Sequence, residues 1–228
     1  MRALLLKSVR IAAVGLTFAG TAVFSDAARA DDQLGWQKGD IVIKAGVAGI
    51  LFDSSAEVKI AGNTVPGGGA KLSNAATASF EAEYFFSPNV STALDFGFPP
   101  PTAEITGTGS LAPLGTVGKT KYGIAGLTLR YHLNGSGRIS PFIGLGVGRL
   151  FIFDTSDGAV TNLDAKGAWA PVLQGGVDLH LNRQFGLFAN VAYAPMKNDA
   201  SGTAFSAPMT ARVTLNPTVV QGGVSFRF

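Results

Sequence analysis

Between Ala76 and Phe86, Ala76, Ala78, Phe80, Ala82, Tyr84 and Phe86 fall on one parity, and Thr77, Ser79, Glu81 and Glu83 on the other. A helix would turn Glu81 and Glu83 about 200° apart and smear the apolar set around its cylinder. A strand separates the two sets onto opposite faces. The same period predicts eight runs, at 40–53, 75–87, 89–98, 121–133, 139–153, 168–181, 185–195 and 212–228. Soluble strands average about 5–6 residues, whereas a tilted membrane strand needs about 9–11. The connections alternate in length. Residues 87–89, 134–138 and 182–183 are short and rich in turn formers, whereas 54–74, 99–120, 154–167 and 196–211 are long and rich in Gly, Pro, Ser, Thr and Ala. An even strand count with short turns at one end and long loops at the other predicts an all-β fold, an eight-stranded antiparallel transmembrane β-barrel with periplasmic turns and extracellular loops. A soluble eight-stranded barrel shares the period but keeps its apolar face inside, so periodicity alone leaves the orientation open.

Charge and aromatic placement decide the orientation. Only 14% of the residues are charged while 46% are hydrophobic, against about 25% charged in ordinary soluble domains. Tyr84, Phe86, Phe96, Tyr131, Phe185, Tyr193, Phe226 and Phe228 cluster near strand ends, as interfacial girdles do. Lys44, Glu81, Glu83, Asp95, Arg130, Asp178 and Arg227 take the opposite parity. Turning a base to mid-depth lipid costs about 2–4 kcal/mol, so these side chains are expected to face the lumen, together with Gln174, Asn190 and Ala192.

The net charge of +3 and the pI of 9.3 have a local origin. Arg2, Lys7 and Arg10 precede the uncharged apolar run 11–24, and Ala28-Arg29-Ala30 follows. This is the layout of a cleaved signal peptide over 1–30, with the barrel over 31–228. Removing Arg2, Lys7, Arg10 and Arg29 with Asp26 leaves 14 bases and 14 acids. No basic cluster remains for nucleic acid. The absence of cysteine excludes a disulfide scaffold and a thiolate metal site.

Other motifs read as structural. Gly144, Gly146 and Gly148 lie inside a strand without a following helix or P-loop lysine, so they let bulky neighbours pack on bare backbone. His132 and His180 read as solvated rim or lumen residues, and no Ser-His-acid set can be assembled from the sequence. Pro141, Pro171 and Pro217 each remove a ladder donor. They are expected either to mark bulges and strand ends or to loosen the wall. The inward charges of both signs fit either a salt-bridged plug or a polar-lined path.

Five segments resemble the OmpW family of small outer-membrane proteins. They are Ile-Val-Ile-Lys-Ala-Gly over 41–46, the third strand from Asn89-Val90 to Pro99, and Pro141-Phe142-Ile143-Gly144-Leu145-Gly146. Trp169 through Asn182-Arg183 and Arg212-Val213-Thr214-Leu215-Asn216-Pro217 through Phe226-Arg227-Phe228 complete the set. The resemblance implies an outer-membrane location in a Gram-negative cell and passive passage of small hydrophobic molecules, with no enzyme chemistry and no cofactor. Asp95 and Ala192 depart from it, standing inward where larger apolar residues would narrow the lumen. The expected partners are outer-membrane lipid, small hydrophobic solutes and, through the aromatic C-terminus Phe228, the barrel-assembly machinery. A closed structural barrel whose loops bind surface partners is the alternative.

Overall fold

A computed structural model describes residues 34–228. The signal peptide read over 1–30 lies outside the described residues. The chain forms β1 (Ile41–Ile60), β2 (Asn63–Thr64), β3 (Gly68–Leu72), β4 (Ala75–Ser87), β5 (Val90–Phe98), β6 (Thr102–Gly109), β7 (Thr116–His132), β8 (Ile139–Asp157), β9 (Thr161–Ala165), β10 (Ala168–His180), β11 (Phe185–Tyr193), β12 (Met196–Ala204) and β13 (Ala207–Arg227). A 3-10 turn at Ala112–Leu114 is the only helical turn among the described residues. Eight strands pair antiparallel in the ring β1-β4-β5-β7-β8-β10-β11-β13. β13 returns to β1 in unbroken register from Val42↔Arg227 to Ile60↔Met209. Closure satisfies both edges of the sheet, the condition for a β-structure to stand in hydrocarbon.

The two faces divide as the alternation predicts. On β4, Glu81, Glu83 and Phe85 are buried while Phe80, Ala82, Tyr84 and Phe86 face out. Val47, Leu129, Leu145 and Leu173 are each more than half exposed on the outer surface. In water such a wall would be a large exposed apolar patch; in a bilayer it is the lipid contact. Tyr84, Phe86, Tyr131, Phe185, Phe226 and Phe228 stand where β4, β7, β11 and β13 meet the short-turn end. Phe226 packs edge-on against both Phe185 and Phe228. Phe96 and Tyr193 close the strands β5 and β11 at the other end.

The long connections differ from the expectation. The segments 54–74, 99–120, 154–167 and 196–211 are largely strand: β1, β7, β8 and β13 extend into them, and β2, β3, β6, β9 and β12 lie within them. Their inward residues Val58, Val117, Leu163 and Met209 join one apolar core. This packing stabilises hairpins that the Gly- and Ser-rich composition disguises. Asp157 fastens one of them by accepting the N–H groups of Asn162 and Leu163, both at 3.0 Å, which lowers its pKa.

The prolines also differ. Pairing runs unbroken past Pro141 and Pro171 between β8 and β10, and past Pro217 between β13 and β1. The wall is closed beside Pro141, whereas Pro171 borders an unpaired stretch on its other side: β10 pairs with β11 only from Leu173↔Tyr193 onward, and β12 pairs with β13 and β9 but not with β10. A further interruption lies between β5 and β7. β5 and β7 are paired up to Phe96↔Ala125, and β6 resumes with β7 at Thr102↔Lys121. Between these points Pro99, Pro100 and Pro101 supply no N–H at three successive positions. The backbone bond from the Tyr122 N–H to the Pro101 carbonyl marks the far edge of the gap.

Candidate functional site

The interior has two halves of opposite character. Toward the short-turn end, β1 carries Lys44 between its two neighbours in the ring, β4 and β13. Its ammonium lies 3.1 Å from Glu81, 2.8 Å from Glu83 and 2.7 Å from Asp178. Arg130 on β7 donates through both terminal nitrogens to the two oxygens of Glu81, a bidentate pair. Its Nε donates to Gln174 at 3.0 Å. The aliphatic part of Arg130 fits because Gly144 faces it: a Cβ there would lie 3.1 Å from Arg130 Cγ. Lys44, Glu81, Glu83, Arg130, Gln174, Asp178 and Asn190 are all nearly inaccessible. The phenyl ring of Phe142 lies below both cations, 4.7 Å from the Arg130 guanidinium and 5.6 Å from the Lys44 ammonium. Of the two readings left open by the sequence, the charged level is therefore a salt-bridged plug.

His132 belongs to this plug. Its Nε2 lies 3.2 Å from Glu83 and 3.0 Å from Ser91, and its Nδ1 lies 3.1 Å from Ser140. His132 and His180 are buried, which corrects their reading as solvated histidines. The fold thus assembles a Ser140-His132-Glu83 chain that no sequence spacing revealed. Ser140 and His132 have no exposed surface, so a substrate has no approach to the serine. Glu83, His132 and Asp178 also bring potential metal ligands within 4.8 Å of one another. Lys44 already engages both carboxylates at 2.7–2.8 Å, and its ammonium supplies the positive charge a metal would bring.

The segment before β1 seals the plug from below, a feature the alternation did not signal. Trp36 is buried, stacks on Phe85 at 4.5 Å and meets His180 edge-on at 4.2 Å. Its backbone N–H donates to the Gly135 carbonyl at 2.7 Å. Arg227 stands at this rim rather than deep in the lumen, donating to the Gly35 carbonyl at 2.7 Å and pairing with Asp40 at 3.3 Å.

Above the plug the interior turns apolar. One cavity of ≈ 60 Å³ is lined by Phe52, Val58, Leu111, Leu150, Met209 and Leu215 among others. A second, of ≈ 50 Å³, lies lower, between Ile50, Val172, Ala192 and Val219. Its wall includes Phe96, Gly97, Pro101, Gly123, Ile124 and Ala125, the residues on the two banks of the β5–β7 gap. Asp95, half-buried, also faces it.

The OmpW family profile matches residues 37–228. The chain belongs to the OmpW family. It is an outer-membrane protein whose wall stands in lipid. It is 31% identical over 195 residues to outer membrane protein AlkL of Ectopseudomonas oleovorans, covering 85% of this chain and 84% of that protein. Dibenzothiophene metabolism operon protein PahQ of Pseudomonas aeruginosa is 34% identical over 185 residues, 81% of this chain and 87% of its own length. Among solved structures, OprG from Pseudomonas aeruginosa superposes with a TM-score of 0.81 at 22% identity, covering 86% of this chain and 99% of that one, and so shares the fold. AlkL in lipid bilayers superposes with a TM-score of 0.67 at 31% identity, over 85% and 92% of the two chains.

The plug makes a direct stability prediction for this OmpW-family barrel. Replacing Lys44 with Met leaves three carboxylates without their shared counter-ion, and breaking a buried pair costs about 3–5 kcal/mol. Equilibrium urea unfolding in phospholipid vesicles is expected to show a loss of this size. A loss below about 1 kcal/mol would contradict the assignment of Lys44 as the centre of the plug.

Proposed function

We propose that the barrel is a passive conduit for small, mainly hydrophobic molecules, which enter between the extracellular hairpins and leave sideways into the membrane through the β5–β7 gap. The observation that carries this reading is the position of the lower apolar cavity, beside the gap and above a sealed polar plug. An apolar solute gains nothing by entering the charged level, where it would displace satisfied ion pairs. A lateral exit keeps it in apolar surroundings throughout. PahQ, a relative named for an operon of dibenzothiophene metabolism, supports the same class of solute. In this reading Ala192 lines the path, while Lys44, Glu81, Glu83, Arg130, Gln174, Asp178 and Asn190 form its floor, and no covalent step is involved.

The cavities also set the manner of passage. Each is well below the ≈ 150 Å³ of a void that holds benzene, at ≈ 60 and ≈ 50 Å³. Passage therefore requires lining side chains to swing aside. Met196 and Met209 line the two cavities, and methionine adapts to irregular space more readily than branched residues do.

Uptake of n-octane and dibenzothiophene by cells that carry the protein in their outer membrane, compared with cells that lack it, tests the proposal. We expect faster uptake with the protein, and about a tenfold reduction when Ala192→Trp fills the cavity beside the gap. Equal uptake with and without the protein would instead favour a closed interaction barrel, and unchanged uptake in the Trp variant would remove Ala192 from the path.

Phe228 is three-quarters exposed at the short-turn end, which supports its reading as a handle for the assembly machinery. Deleting Phe228 is expected to lower the amount of barrel reaching the outer membrane in cells while leaving refolding into detergent intact. Equal losses in both assays would assign the residue to stability instead.

A further inference from the structure

Asp95 is the acid that the plug leaves out. Lys44 and Arg130 are engaged by Glu81, Glu83 and Asp178, and the Asp95 carboxyl forms neither a hydrogen bond nor an ion pair with any described residue. Its partner across the β5–β7 ladder is Gly126. The two carboxyl oxygens lie 3.1 and 3.2 Å from where a Cβ of that residue would stand, so a bare backbone leaves the carboxyl room on the inner face. Ser79 lies diagonally across from it, because β4 and β5 pair as Glu81↔Asp95 and Ser79↔Gly97. The Ser79 hydroxyl is buried, lines the same cavity and has no hydrogen-bond partner. A buried polar atom without a partner is unfavourable by about 1–3 kcal/mol. The buried Ser79 hydroxyl and the half-buried Asp95 carboxyl face one small void beside an exit and form a site for a polar ligand atom.

We propose that Asp95 and Ser79 form a polar docking point for the head of a neutral amphiphile with a hydroxyl group, a long-chain primary alcohol or a phenol. The inference rests on the conduit reading and names its preferred substrate class. The head's O–H donates to the Asp95 carboxyl and its oxygen accepts from Ser79, while the tail lies along Ile50, Val172 and Val219. The ≈ 50 Å³ void exceeds the about 10–15 Å³ that holds one water molecule, which suits a hydroxyl head and not a bulky one. Charge selects further. Glu81, Glu83, Asp95 and Asp178 are four acids gathered around two strong bases, so a carboxylate head meets an acidic excess. An ammonium head must first cross the apolar chamber as a bare charge, which is far costlier than moving a hydroxyl. A neutral donor escapes both penalties.

The test offers n-octane, 1-octanol and octanoate together to cells carrying wild-type protein, Asp95→Leu, Asp95→Asn or Ser79→Ala, and to cells without the protein. The protein-dependent uptake ratio of alcohol to alkane within one culture cancels differences in expression and folding between variants. The wild type is expected to favour octanol over octanoate. Asp95→Leu is expected to lower the octanol-to-octane ratio about tenfold and Ser79→Ala about threefold, with Asp95→Asn recovering much of the ratio because its amide oxygen still accepts. A ratio unchanged or raised in both Asp95→Leu and Ser79→Ala overturns the docking point while leaving the conduit standing. Preference for octanoate overturns the charge argument and with it the proposed class. No protein-dependent uptake of octane in the wild type overturns the conduit reading and this inference together.

Discussion

The Lys44 ammonium, held by three carboxylates from β4 and β10, is the interaction on which the rest of the interior depends. An eight-stranded ring leaves a lumen barely wide enough for its own side chains, and a charge placed there must be neutralised on the spot. Lys44 ties one side of the barrel to β10 through Asp178, and Arg130 ties β7 to β4 through Glu81. These bonds cross the lumen, so they brace the ring as well as fill it. Trp36 and Phe85 then close the level below. With that end sealed, only the outer mouth and the wall remain as ways into or out of the apolar half.

The β5–β7 interruption in the wall has a local chemical cause. A single proline deletes one donor, and the neighbouring bonds keep the two strands together, as between β8 and β10 at Pro141 and between β13 and β1 at Pro217. Three consecutive prolines delete donors toward both neighbours over a whole repeat of the pleat. The strands part at Pro99, Pro100 and Pro101, and the small residues Gly97, Gly123 and Ala125 line the parting.

Much of the fold was legible because period 2 is a local signal. The alternation around Glu81 and Glu83 assigned the faces of β4, and the same parity placed Lys44, Arg130 and Asp178 inward. Their partnerships were not legible. Lys44 and Asp178 lie 134 residues apart, and which inward residues share a level follows from the stagger of the closed ring. For the same reason Ser91, Ser140 and His132 could not be grouped by spacing. Trp36 was invisible to a strand pattern because it precedes the first strand. The extracellular hairpins escaped notice because their inward residues, such as Val117 and Leu163, are interleaved with Gly, Ser and Thr. The prolines could not be sorted from the sequence because a missing N–H matters only where its neighbours cannot compensate, a property of the ladder and not of the residue.

The route is the central claim, and photolabelling reads it most directly. A diazirine-bearing octane analogue, added to the barrel in lipid bilayers and activated by light, inserts into whatever side chains line its path. The account predicts labelled peptides containing Phe96 to Pro101 and Gly123 to Ala125, on the two banks of the gap. Labelling concentrated at Trp36, His132 and His180, with none at the gap, would show passage through the plug and contradict it.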